Sequence, residues 1–139
     1  MKIKKGYFIA SFMIVISIIS FMVFGEDVHN DMNILFLNSY GWEVDTVYCD
    51  KSNIIIPQPF DMVYESYNKL QLEAGLDLIP YQGKNAIRYT YKVKNYPIDV
   101  HDTVYANVIV ANNTCIGGDI MTIPLDGFMH SLAYMPKSN

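Results

Sequence analysis

Apolar and polar positions along this chain fall into blocks of different period. Residues 7–24, YFIASFMIVISIISFMVF, form an uncharged apolar run behind Lys2, Lys4 and Lys5. At 1.5 Å of rise per residue the run reaches about 27 Å, close to the roughly 30 Å of a bilayer's hydrocarbon core. The pattern predicts a transmembrane anchor over residues 1–25. Lysines before the run, with Glu26 and Asp27 after it, place the N-terminus on the cytoplasmic side. The alternative is a secretory signal cleaved near Gly25, with Val23 and Gly25 at the −3 and −1 positions. Residues 26–33 read as a linker and 34–135 as one extracytoplasmic domain.

Downstream the periods shorten. Ile34, Leu35 and Leu37 stand among polar residues before Gly41, which suits a short helix over 30–40 with a glycine stop. Val44, Thr46 and Tyr48 alternate with polar neighbours, and Ile54 to Ile56 follow across Asp50-Lys51-Ser52-Asn53, so a hairpin turning at 50–53 is expected. Pro57 and Pro59 break the pattern. Phe60, Val63, Tyr64, Tyr67, Leu70 and Ala74 then recur at spacings of three and four up to Gly75, the stripe of an amphipathic helix. Its polar face would carry Asp61, Glu65, Asn68, Lys69 and Glu73. Residues 86–94 alternate strictly, with Ile87, Tyr89, Tyr91 and Val93 opposite Arg88, Thr90, Lys92 and Lys94, which marks a half-buried antiparallel strand. Runs 104–110 and 114–121 flank Asn112-Asn113, a pair suited to the positive φ angles of a tight hairpin. The expected fold class is α+β: a transmembrane helix, then a small antiparallel β-meander packed by one main helix.

Charge narrows the partners. Beyond the apolar run stand 7 basic and 14 acidic residues, a net of −7. That disfavours nucleic acid and anionic lipid as partners, because both need a cationic face. The expected partners are the membrane, through residues 7–24, and an envelope protein. Cys49 and Cys115 would close a loop of more than 60 residues if bridged, with about 4 kcal/mol from loop entropy. Two separate thiols are the alternative.

The strings Gly41-Trp42-Glu43-Val44, Tyr67-Asn68, Gly75-Leu76-Asp77-Leu78, Tyr81-Gln82-Gly83-Lys84, Tyr89-Thr90-Tyr91, Ile116-Gly117-Gly118-Asp119 and Asp126-Gly127-Phe128 form one ordered pattern over residues 34–132. In that order the chain resembles a bacterial membrane-anchored family, domain of unknown function 4830 (DUF4830). The resemblance implies an extracytoplasmic setting. It implies no activity, and no functional residue is carried over.

For chemistry, Gly117-Gly118-Asp119 is the foremost local motif. Paired glycines in a strand mark a bulge or a close backbone approach, and the competing reading is a ligand loop with Asp119 as its carboxylate. Trp42, Tyr81 and Tyr96 are the loop-borne aromatic candidates for ligand contact. Asp99, His101 and Asp102 offer too few ligands for a metal by themselves, and His130 follows a glycine turn. There is no GxSxG, HExxH or CxxC motif. The sequence therefore points to no catalytic residue, no metal and no cofactor. The leading expectation is a non-catalytic module binding a ligand or protein at the cell envelope. The rivals are an envelope hydrolase using Asp99, Asp102, Asp119 and Asp126, and a secreted inhibitor or chaperone of an envelope protein.

Overall fold

The computed structural model describes residues 29–138. The expected anchor over 7–24 and its cleavage site lie outside them, and among the described residues no helix is long and apolar enough to cross a membrane. Helix α1 covers residues 29–39, in place of the short helix expected over 30–40. It stops as the glycine predicts. Gly41 takes φ 90°, its N–H donates to Asn38 O at 2.9 Å, and Trp42 N–H donates to Leu37 O at 3.2 Å. This pair of bonds satisfies carbonyls the helix end would otherwise leave free.

The sheet follows as β1 (Asp50–Ile55), β2 (Asn85–Lys92), β3 (Tyr105–Ala111), β4 (Thr114–Met121) and β5 (Met129–His130), with α2 (Met62–Glu73) between β1 and β2. All five strands pair antiparallel in sequence order. Asn112 and Asn113 take φ 50° and 58° at the β3–β4 turn, as their side chains suggest. One β1 expectation is corrected. Residues 50–53 are strand, not turn: they pair with Ile87 to Thr90 of β2, while Val44 makes only an isolated bridge to Val93. An edge strand with a solvated face needs no apolar alternation, so its polar residues masked it.

Both faces of the sheet are covered, not one. The face of Tyr89, Tyr91, Val108 and Val110 packs against Leu37 of α1, Trp42 and Leu132. The other face sets Ala86, Ile109, Ala111 and Ile116 against Ile56 and Leu78, with Phe60, Tyr64 and Tyr67 around them. So the tyrosine face of β2 meets α1, and α2 lies on the opposite side.

Helix α2 starts where expected: Asp61 Oδ1 accepts the Tyr64 N–H at 2.8 Å as an N-cap. It ends at Gly75, φ 74°. Its buried stripe is rotated from the apolar pattern. Val63 is 75% exposed, and the buried helix residues are Asn68 and Gln71. Their polar atoms explain the rotation. Asn68 Oδ1 accepts the Leu78 N–H at 2.8 Å and its Nδ2 donates to Asp77 Oδ1 at 3.0 Å, while Gln71 Oε1 accepts the Gly118 N–H at 2.8 Å. Hydrogen bonds to loop and sheet orient the helix where apolar area alone would have turned Val63 inward.

Cys49 and Cys115 are both free thiols. Cys49 sits beside the start of β1 and Cys115 on β4, the fourth strand of the sheet order. Three strand spacings of about 4.8 Å separate them, far beyond the roughly 7 Å Cα limit for a bridge. Burial pushes the Cys115 thiol up to about 11.

Candidate functional site

Register builds a polar row across four strands. Asp50 pairs with Thr90, Thr90 with Asn107, and Asn107 with Asp119. All four residues point to the α2 side of the sheet. Thr90 Oγ1 donates to Asn107 Oδ1 at 2.7 Å, and Asn107 Nδ2 donates to Asp119 Oδ1 at 2.9 Å. Tyr67, from α2, closes the chain by donating its hydroxyl to Asp119 Oδ2 at 2.7 Å. Asp119 is 2% exposed. Burial raises its pKa above the ordinary carboxylate range, while the Tyr67 and Asn107 hydrogen bonds and the charges of Arg88 and His130 pull the other way. Burial, with the Asp119 charge and hydrogen bond, pushes the Tyr67 hydroxyl well above its usual value.

A carboxyl that holds its proton more tightly when folded stabilises the fold below its unfolded pKa and loses that contribution as pH rises through the native value. Asp119→Asn removes this titration. Urea unfolding across pH 4 to 7 is therefore expected to show wild type losing more stability on going up in pH than the variant does. Parallel profiles would contradict the assignment.

Part of this sheet face is left uncovered by α2. A groove of about 410 Å3 lies there, with Arg88 and Lys92 on its rim, Thr90 and Asn107 in its floor, and Met121 and Ile123 along one wall. Asp50 and Cys49 complete the β1 side. The Arg88 guanidinium donates from Nη2 to Ser52 Oγ at 3.4 Å, and Ser52 Oγ donates to Asp50 Oδ2 at 2.8 Å. The Lys92 ammonium has no hydrogen-bond or ion-pair partner among the described residues. The groove thus offers two cations against one exposed carboxylate, over a floor whose hydrogen bonds are already fixed.

The sequence candidates are distributed differently. Asp119 lies beside the groove floor, next to Asn107 and covered by Tyr67. Gly117 and Gly118 serve packing: a Cβ at Gly117 would stand 3.0 Å from Gln71 Oε1 and Leu78 Cδ2, and one at Gly118 would strike the Asn107 carbonyl oxygen. Trp42 is 0% exposed and donates Nε1–H to Leu132 O at 2.8 Å. Tyr96 stacks on Trp42 and Phe128 at centroid distances of 5.9 and 5.3 Å. The Ser131 carbonyl, 2.9 Å from His130 Nδ1, can only accept, so that nitrogen donates, and Nε2 is hydrogen-bonded to the Tyr96 hydroxyl at 3.1 Å. Trp42, Tyr96 and His130 therefore form one aromatic core, away from the Arg88 groove. Tyr81 is half-buried beneath the Lys84 ammonium, 5.4 Å from the ring centroid. Asp99 and Asp102 line a separate shallow groove in the β2–β3 connection, and Asp126 is exposed in the β4–β5 loop. Among the described residues no three His, Cys, Asp or Glu side chains gather to hold a metal.

Sequence reasoning missed Arg88, Thr90, Asn107 and Tyr67 as a group. One signal was visible: Asn107 interrupts the otherwise apolar strand Tyr105–Ala111, and a buried asparagine demands partners.

Fold and groove together define a small α+β domain: a five-stranded antiparallel meander between two helices, with one face partly open. Residues 36–120 match the family model described as Domain of unknown function (DUF4830), and the chain belongs to that family. No curated protein and no solved structure matches it.

Proposed function

We propose that this chain is a non-catalytic binding module of the bacterial cell envelope, anchored through residues 7–24, whose groove at Arg88 and Lys92 takes a carboxylate-bearing segment of an envelope protein. The observation that carries this reading is the open cationic groove over the Thr90–Asn107–Asp119 row, in a domain otherwise rich in acids. Arg88 and Lys92 supply charge-assisted donors, and Met121 with Ile123 supplies an apolar wall for a neighbouring side chain. Against the hydrolase alternative, Asp119 is sealed by Tyr67 and Asn107, and Asp99, Asp102 and Asp126 stand apart from it. Asp50 is the one carboxylate among the described residues lining the groove, so no second carboxylate stands opposite it.

The test is fluorescence anisotropy of the full chain in detergent with a labelled peptide of alternating Glu and Leu. Saturable binding that weakens with salt is expected. Replacing both Arg88 and Lys92 by Gln should weaken it about tenfold or more, since hydrogen bonds to charged groups contribute about 1.5–3 kcal/mol. Lys137→Gln should leave it unchanged. Affinity indifferent to the double substitution would overturn the proposal.

A further inference from the structure

A second, larger groove of about 860 Å3 opens at the other end of the sheet and on its other face, beside the start of α1. Asn53, Asn85 and Asn113 stand on its rim with His29, and Ile55 and Ile87 form apolar ground between them. Ile55 is 67% exposed. Among the described residues no Asp, Glu, Lys or Arg lines it. His29 Nε2 lies 2.9 Å from Asn113 Oδ1, so α1 enters the domain at the tip of the β3–β4 hairpin.

We infer that this end of the domain rests on the phospholipid surface, with Ile55 and the asparagine carboxamides seated in the headgroup layer. The inference builds on the anchored reading above. Only residues 25–28 separate the apolar run from His29. Five Cα steps reach at most about 18 Å, and the polar layer on each side of a bilayer takes up roughly 5–8 Å of that. His29 and the groove beside it are thereby held at the membrane, whatever path those four residues take.

The chemistry of the groove suits that occupant. Beyond the apolar run the chain is acidic, so an anionic lipid surface repels most approaches. Apart from Glu26 and Asp27 in the tether, this end meets that surface with no carboxylate in its described lining. Carboxamide N–H groups donate to phosphate and ester oxygens, and an exposed isoleucine gains by leaving water for the acyl boundary. Geometry adds a consequence for the first groove. Asn85 and Lys92 stand at opposite ends of β2, about 23 Å apart at 3.3 Å per residue. The Lys92 end of the first groove is therefore held away from the lipid, where a protein segment reaches it, while Arg88 lies about 10 Å from Asn85 along the strand.

The experiment uses the full chain in vesicles, in a background where Cys49→Ser and Cys115→Ala leave no native thiol. A fluorophore that brightens in apolar surroundings is attached at Ile55→Cys, at Asn85→Cys, or at the exposed Ile98→Cys in the β2–β3 connection as the distant control. Lipids carrying a quencher near the headgroup are then introduced. Strong quenching at 55 and 85, at least threefold above that at 98, is the expected result, with circular dichroism confirming that each labelled chain is folded. A chain that co-floats with vesicles yet is quenched equally at all three positions overturns lipid docking while leaving the anchor intact. A chain that does not co-float at all overturns the anchored reading, and the docking with it.

Discussion

Replacing Trp42 by alanine is expected to lower the unfolding free energy by about 3–5 kcal/mol, the usual cost of deleting a fully buried aromatic side chain. Trp42 has no exposed surface and joins four parts of the fold. Its backbone N–H closes α1 on Leu37 O, and its indole donates to Leu132 O. Its ring stacks on Tyr96 and lies 6.0 Å from His130. Alanine leaves a cavity and strands a buried carbonyl, since Leu132 is itself fully buried. A domain of this size has only about 5–15 kcal/mol of stability, so the variant should unfold at much lower urea. Trp42→Phe keeps most of the packing and loses only the N–H donor, and should cost clearly less. A Trp42→Ala loss under about 1 kcal/mol would show that the aromatic core contributes far less than buried aromatic residues do elsewhere.

Gly118→Ala is the second large effect. Alanine normally favours a folded strand over glycine by about 0.5–1 kcal/mol, because it has less chain entropy to lose. Here the added methyl meets the backbone carbonyl of Asn107 on the neighbouring strand and would lie 2.8 Å from Leu132 Cδ1. A backbone oxygen held in a sheet ladder cannot step aside as a side-chain tip does. Strands β3 and β4 must part at the residues that pair Asn107 with Asp119, and the Gly118 N–H to Gln71 bond is disturbed with them. Overpacking together with a lost buried hydrogen bond predicts a net cost of about 2–4 kcal/mol. Gly117→Ala is the internal comparison. Its neighbours at 3.0 Å are the ends of Gln71 and Leu78, which can rotate, so its cost should be smaller. Equal losses at the two glycines, measured by urea denaturation, would refute the steric account.

Gln71 shows why such a site is hard to foresee. In the sequence it is one more polar residue on a helix. In the fold it is 0% exposed, holds the Gly118 N–H with Oε1, and leaves Nε2 without a partner among the described residues. Nothing in a spacing of three and four distinguishes a glutamine that reaches a strand from one that faces water. The same holds for Asn68, read as solvated and found bonded to Leu78 and Asp77. Trp42 and Tyr96, read as loop-borne surface aromatics, are drawn inward because the β5 region returns Phe128, His130 and Leu132 to cover them.

The sequence by itself determined the elements whose signals are local. The stop of α1 at Gly41, the Asp61 cap and Gly75 end of α2, the alternation of β2 and the Asn112-Asn113 turn each rest on conformational demands within a few residues of chain. Membership of the family was legible in the same way, as an order of short strings along the chain. Only the tertiary structure decided which helix covers which face, that residues 50–53 extend the sheet, and that Cys49 and Cys115 lie too far apart to meet. It alone aligned Asp50, Thr90, Asn107 and Asp119 into one row. That row depends on the register of three strand pairs at once, and a slip of one residue in any of them would turn its polar side chains to the opposite face. Register is a property of the packed sheet and of what each face must bury. A strand's own sequence does not contain it.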